Sequence, residues 1–305
     1  MDAVTLADAY KAAGFKVFTT TSTSWLLGEH GAAVNVSPLQ DVFPSPPEVE
    51  QVLSTEARLV RFPTRAALAP NCVEFILSAG SYGLDVLAQR ARNQTRRGLE
   101  RCRVREAHPH EIVSRGLEIN HLVLARQRRA SKLLLVPDRW KRYVETFLAM
   151  PDVKAFVACV DRDIAAYVMT CIVDNKIALV HPFLDRHFQN AYPMNALIYS
   201  AINHVRAEVG PLPVSYGFGS FWGNEPLDHF KTGMGFETVP RLRITIFSPV
   251  TSVLLRPMVV TLAEMLPTLG GKVGPKLRRL AEERQLGLNW MVMMNRPRNR
   301  AATDG

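Results

Sequence analysis

The chain has 305 residues, 47% of them hydrophobic, and a net charge of +9 from 37 basic and 28 acidic side chains. That length and apolar content exclude a chain disordered throughout and suit one large domain or two ordinary ones. The positive balance favours polyanionic partners, tRNA, phosphorylated carriers, coenzyme A or anionic lipid among them, without choosing between them.

Cys72, Cys102, Cys159 and Cys171 lie far apart, and no CxxC or Cys/His spacing suggests a zinc site. No HExxH or carboxylate cluster points to another metal, so none is expected. The opening MDAVTLADAYKAAGF lacks the basic start and apolar core of a signal peptide, and reduced cysteines fit a cytoplasmic protein. The most apolar late stretch, SVLLRPMVVTLAEMLPTLGG, is interrupted by Arg256, Pro257, Glu264 and Pro267, well short of the ~20 apolar residues of a membrane span.

Taken in chain order, residues 5–13 predict a short helix. FKVFTTTSTSWLL and GAAVNVSP then predict β-rich runs, punctuated by Gly28, Gly31 and Pro38. Pro46 and Pro47 suit the first turn of a helix in VFPSPPEVEQVLS, and ARLVRFPT and CVEFILS read as strands. A helical pattern begins at Leu84, with Leu87, Ala91, Thr95, Gly98 or Leu99, and Cys102 on its inward face. Its other faces carry the densest charge in the chain, seven arginines between residues 90 and 106. Arg92 and Arg96 stand one turn apart, as do Arg97 and Arg101, so two pairs project side by side.

From Arg103 a short strand leads into two helices, the second in VPDRWKRYVETFLAMP. The period then changes to two. KAFVACVDRDIAAYVMTCIVDNKIALVHPFLD predicts three antiparallel strands with turns at 160–163 and 174–176. A helix opening at Pro193 and closing near Gly210 follows, then a strand in PLPVSYGFG, a helix around EPLDHFKTGMGF and a strand in RLRITIFS. The tail predicts helices over 252–269 and 275–285 and a disordered end, MNRPRNRAATDG. The helical segments over 250–285 suit docking, a homodimer contact or, with Arg256, Lys272, Lys276, Arg278 and Arg279 beside them, a membrane interface.

The order strand, strand, strand, helix, strand, helix, strand resembles the GNAT acyltransferase fold, and more specifically its FemAB-type branch of two GNAT-like domains in tandem. Three stretches carry the likeness: RARNQTRRGLERCRV, similar to the helix and strand that pass between the domains of that branch; the long helix from Pro193; and SYGFGSFWGNEPLDHFKTGMGFE, similar to its FK-to-GF ending. The resemblance implies an α/β (α+β layered) fold with mixed, largely antiparallel sheets. It implies GNAT-like domains over 1–104 and 105–248, the active site in the second, and a helical C-terminal tail over 249–305. It also implies an acyltransferase that forms an amide by direct attack of an acceptor amine on an acyl-CoA or aminoacyl-tRNA donor.

Such attack needs a deprotonated amine and a stabilised carbonyl oxygen, and no covalent enzyme intermediate. Lys231 occupies the FK position and is the candidate stabiliser, with Phe230 beside it. His181 and Asp185, at the end of the third meander strand, and Tyr216, on the following one, are the candidate acid–base groups. The loop RHFQNAY, where GNAT enzymes place a glycine-rich pyrophosphate cradle, holds no glycine, which argues against coenzyme A. Arg186, Tyr192 and Asn195 are its candidate donor contacts, Arg92 and Arg96 candidate phosphate contacts, and Trp222 a candidate substrate wall. The alternative reading is a catalytically silent RNA- or carrier-binding protein on the same fold.

Overall fold

The computed structural model describes residues 1–220, 224–256 and 274–295. Its backbone forms two compact units, one of Met1–Phe15 with Cys72–Arg241, the other of Lys16–Asn71 with Leu242–Gly305. The chain begins in the first with helix α1 (Ala3–Ala12), capped by the Asp2 carboxylate, which accepts from the amide of Thr5.

It then builds most of the second unit. Strands β1 (Lys16–Thr19), β2 (Ser24–Leu27) and β3 (Ala32–Asn35) pair antiparallel in sequence. Helix α2 (Pro46–Leu53) starts at its prolines, and Ser45 with Glu48 closes a capping box. Strand β4 (Leu59–Thr64) lies parallel to β3.

Back in the first unit, β5 (Cys72–Leu77) is followed by α3 (Gln89–Arg101) and β6 (Arg103–Glu106). The inward face of α3 is Ala91, Thr95 and Gly98; Leu99, offered by the sequence pattern as the alternative to Gly98, is 40% exposed. The reason is contact: a Cβ on Gly98 would stand 2.7 Å from the carbonyl oxygen of Tyr192, so only glycine admits the approach. Helices α4 (Pro109–Glu111), α5 (Leu117–Gln127), α6 (Lys132–Leu135) and α7 (Pro137–Leu148) then cover one sheet face. The meander β7 (Val153–Val160), β8 (Asp163–Val173), β9 (Lys176–Leu184) follows as expected, its turns made by left-handed Asp161, Asp174 and Asn175.

Alternation along these strands splits the core in two. Phe156, Ala158, Ala166 and Val168 pack with Leu197, Ala201 and Val205 of α8 (Pro193–Val209). Ala155, Val157, Tyr167 and Met169 pack on the other face with Ile119, Trp140 and Phe147. Each large apolar side chain so buried contributes about 1.5–3 kcal/mol. Strand β10 (Val214–Phe218), helix α9 (Glu225–Gly233) and strand β11 (Glu237–Phe247) complete the pattern. Within this unit the strand order is β11-β5-β10-β9-β8-β7-β6, with β11 contributing Glu237–Arg241.

In the second unit the order is β1-β2-β3-β4-β11, where Leu242–Phe247 pair antiparallel with β4. After α10 (Pro249–Leu254), helix α11 runs from Gly274 to Asn295, ten residues past the expected end at 285. Gly287 breaks the helical pattern in the sequence, but here it is required: a Cβ would lie 2.2 Å from the carbonyl oxygen of Thr245. The extension buries Trp290 edge-on against Phe62, which stacks in the same manner on Trp25. Of the end expected to be disordered, 294–305, Met294 and Asn295 close α11 instead; its remainder and most of the predicted 252–269 helix lie outside the described residues.

Candidate active site

The site starts from a strand pair that comes apart. β9 and β10 run parallel but pair only at Ile177 with Val214 and Ala178 with Ser215. Beyond that point β9 follows β8, with an extra residue between Val180 and Phe183, and β10 follows β5, with a shift between Ser215 and Phe218. Left-handed His181 (φ 52°) and Gly217 (φ 83°) stand at the two irregularities. Ser215 pins the second: its hydroxyl donates to Glu74 at 2.8 Å and accepts from the amide of Gly217 at 3.1 Å.

Helix α9 places Lys231 against Tyr216, the residue of β10 that follows its last pair with β9. Asn224 caps it, accepting from the amide of Leu227. Its far end is fixed by fully buried Met234, whose sulfur accepts from Asn195 Nδ2 and Thr95 Oγ1 and whose carbonyl accepts from the Tyr82 hydroxyl at 2.7 Å. Lys231 is 3% exposed, with Nζ 4.2 Å from the ring centroid of Phe75 and 5.1 Å from that of Tyr216. Among the described residues no carboxylate closes an ion pair with it. Burial pushes its amine below the usual lysine range, opposed by the charge of Asp228 one turn earlier. Burial pushes the Tyr216 phenol upward, which keeps it protonated. Aromatic faces hold the ammonium by cation–π attraction and leave its protons for another acceptor.

The structure therefore brings Lys231, Tyr216 and Phe230 together, Tyr216 and Phe230 with ring centroids 6.3 Å apart. It adds Phe75, which sequence reasoning did not single out; its only signal was its place in the alternation of CVEFILS. His181 belongs to the opposite core, its ring among Trp140, Tyr143 and Phe183, where burial depresses its pKa to about 4. Asp185 is paired with Arg115 at 2.7 Å and accepts from the amide of His187 at 3.0 Å, so it anchors the turn Arg186–Ala191.

That turn leads to the N-terminus of α8, which α3 covers. Gly98 meets Tyr192 and Ala196, Arg101 donates to the carbonyl of Asn190 at 3.1 Å, and Cys102 to that of Ala191. Tyr192 is left-handed and Asn195 is buried on Met234, while Arg186 is exposed. Arg92 is bound to the carbonyls of Leu84, Asp85 and Leu87, and Arg96 is exposed. Trp222 lies outside the described residues. Among the described residues no group of His, Cys, Asp or Glu could hold a metal ion, and no helix is long and apolar enough to cross a membrane.

No protein-family model and no curated protein matches the chain. Solved structures do. FemX superposes with a TM-score of 0.56 at 10% identity, over 78% of this chain and 90% of that one. The C-terminal domain (DUF2156) of a putative lysylphosphatidylglycerol synthetase from Agrobacterium fabrum gives 0.52 at 14% identity, over 78% and 86%. L-PGS from Bacillus licheniformis gives 0.50 at 12%, over 82% and 90%. At such identities the likeness is one of fold. The fold is the FemAB-type, GNAT-like tandem one, and the expected fold class stands.

Proposed function

We propose that the chain is an N-aminoacyltransferase, moving an aminoacyl group from tRNA to an acceptor amine. The observation that carries this reading is Lys231, a buried cation on aromatic rings with no ion pair among the described residues, against Tyr216, which follows the last pair of β10 with β9. Charge develops on the acyl oxygen as the amine attacks, and an ammonium already desolvated and held in place stabilises it without reorganising. Tyr216 supplies a neutral wall and Phe75 the floor.

Two features favour tRNA over coenzyme A as carrier. The glycine-free turn and the packing of Gly98 against Tyr192 crowd the helix end where a pyrophosphate cradle would form. Exposed Arg90, Arg97 and Arg101, at spacings of seven and four, fall within about 20° of one line and extend about 16 Å along α3, longer than a pyrophosphate needs. Such a row suits a polynucleotide backbone.

The experiment offers the protein bulk aminoacyl-tRNA or acetyl coenzyme A with a pool of primary amines, and follows amide products by mass. Transfer from aminoacyl-tRNA, lost in Lys231→Met while RNA binding persists, supports the reading. Transfer from acetyl coenzyme A alone replaces the donor. RNA binding without transfer in the unaltered protein favours the catalytically silent alternative.

A further inference from the structure

Direct attack requires a group to take the proton of the acceptor amine. His181 lies in the core on the other sheet face, and Asp185 is engaged with Arg115 and the His187 amide. The α9 sequence LDHFK contains a further carboxylate, Asp228, in the first turn of the helix and one turn before Lys231. Its Oδ1 is sealed from solvent and has no hydrogen-bond partner among the described residues. A sealed carboxylate oxygen without a donor is costly and calls for a reason.

Residues three apart on a helix lie about 5–6 Å apart at Cβ, the distance at which an acid and a lysine ordinarily join. Here they form no ion pair among the described residues: Lys231 is turned onto Phe75 and Tyr216, and Oδ1 of Asp228 is left without a hydrogen-bond partner. Among the described residues, the other groups on elements packed about the pair are accounted for. Tyr216 is neutral, His229 is exposed, and α3, packed on α9 through Ala91 and Gly233, brings Arg92, which is bound to three carbonyls. What remains is a split charge pair, an acceptor and a donor held one turn apart on one rigid helix.

We infer that Asp228 is the general base for the acceptor and Lys231 its partner on the acyl oxygen, an inference that rests on the transferase reading. The acceptor arrives as R–NH3⁺ and gives one proton to Asp228. The freed lone pair attacks the acyl carbon, a C–N bond forms, and the carbonyl electrons move to the oxygen held by Lys231. The nitrogen sheds a second proton to solvent. As the C=O bond reforms, the bond from acyl carbon to the donor oxygen breaks, and that oxygen takes the proton from Asp228. The substrate class follows: a primary amine, protonated on arrival, unhindered enough to reach between two side chains on one helix.

Asp228→Asn keeps the shape and removes the proton acceptor. With aminoacyl-tRNA as donor, its kcat/KM for the amine is expected to fall by about 10²–10⁴-fold and the acidic limb of the pH–rate profile to disappear. Asp228→Glu is expected to recover part of the rate. Wild-type kcat/KM with an unchanged acidic limb in Asp228→Asn would overturn the assignment, while loss confined to Lys231→Met would keep the transferase reading and dismiss the base. A second measurement needs no substrate: competitive acetylation of Lys231 by acetic anhydride across pH. Removing the facing carboxylate is expected to lower the pH at which Lys231 becomes reactive, and an unmoved curve overturns the split pair. If the unaltered protein transfers nothing and that curve still shifts, the reading of the reaction fails and the base assignment falls with it.

Discussion

Lys231 and Glu283 are both buried charges, 3% and 6% exposed, in opposite circumstances. In the second unit, Glu283 of α11 accepts from Asn71 Nδ2 at 3.0 Å and from the Thr245 hydroxyl at 2.7 Å. Both its oxygens are bonded, and it acts as a joint between helix and strand. Glu74 in the first unit is similar, bonded to Ser215 and Arg241. Lys231 rests on the aromatic faces of Phe75 and Tyr216 and, among the described residues, closes no ion pair. A buried charge whose partners are all present is a structural device, whereas one left without them is held ready for something that comes and goes.

The comparison breaks most decisively at Lys231→Met. If the amine serves chemistry alone, transfer falls about 10²–10³-fold while the melting temperature holds or rises, because an apolar side chain suits the rings of Phe75 and Tyr216. A large loss of stability with full activity would reverse the contrast. His181 offers the next effect. Its folded pKa of about 4 lies below the ordinary value near 6.5, so between these the unfolded chain binds a proton that the native protein refuses. Stability is then full above about pH 6.5 and declines as pH falls toward 4, by up to about 3 kcal/mol. Denaturant titrations across that range should flatten in His181→Asn, whose side chain tolerates the left-handed backbone.

Glu283→Leu tests the other member directly. It strands the donors of Asn71 and Thr245, and is expected to cost about 1–3 kcal/mol by thermal unfolding without affecting donor affinity. The smallest effect is at the surface: Arg97→Ala should reduce the slope of log affinity for tRNA against log salt by about 1, with stability unchanged.

The meander was legible because its alternation and its AspArg and AspAsn turns are local signals, and so was α8, framed by Pro193 and Gly210. The inward choice of Gly98 over Leu99 was not, since it depends on a carbonyl of Tyr192 far along the chain. Nor was the full length of α11, where a glycine that reads as a break is the condition for packing on Thr245. Lys231 could be singled out from its motif, but its seat on the rings of Phe75 and Tyr216 could not.

Local order thus determined which segments are strands and helices, and the succession of elements was enough to indicate the fold. Tertiary structure alone decided that each compact unit is assembled from separated stretches, one of Met1–Phe15 with Cys72–Arg241. It also decided that Lys231 would settle on Phe75, 156 positions earlier, and that Oδ1 of Asp228, its near neighbour in sequence, would find no hydrogen-bond partner among the described residues. Periodicity records which side of an element is buried, whereas the partner a buried charge finds depends on which strands come to lie beside it.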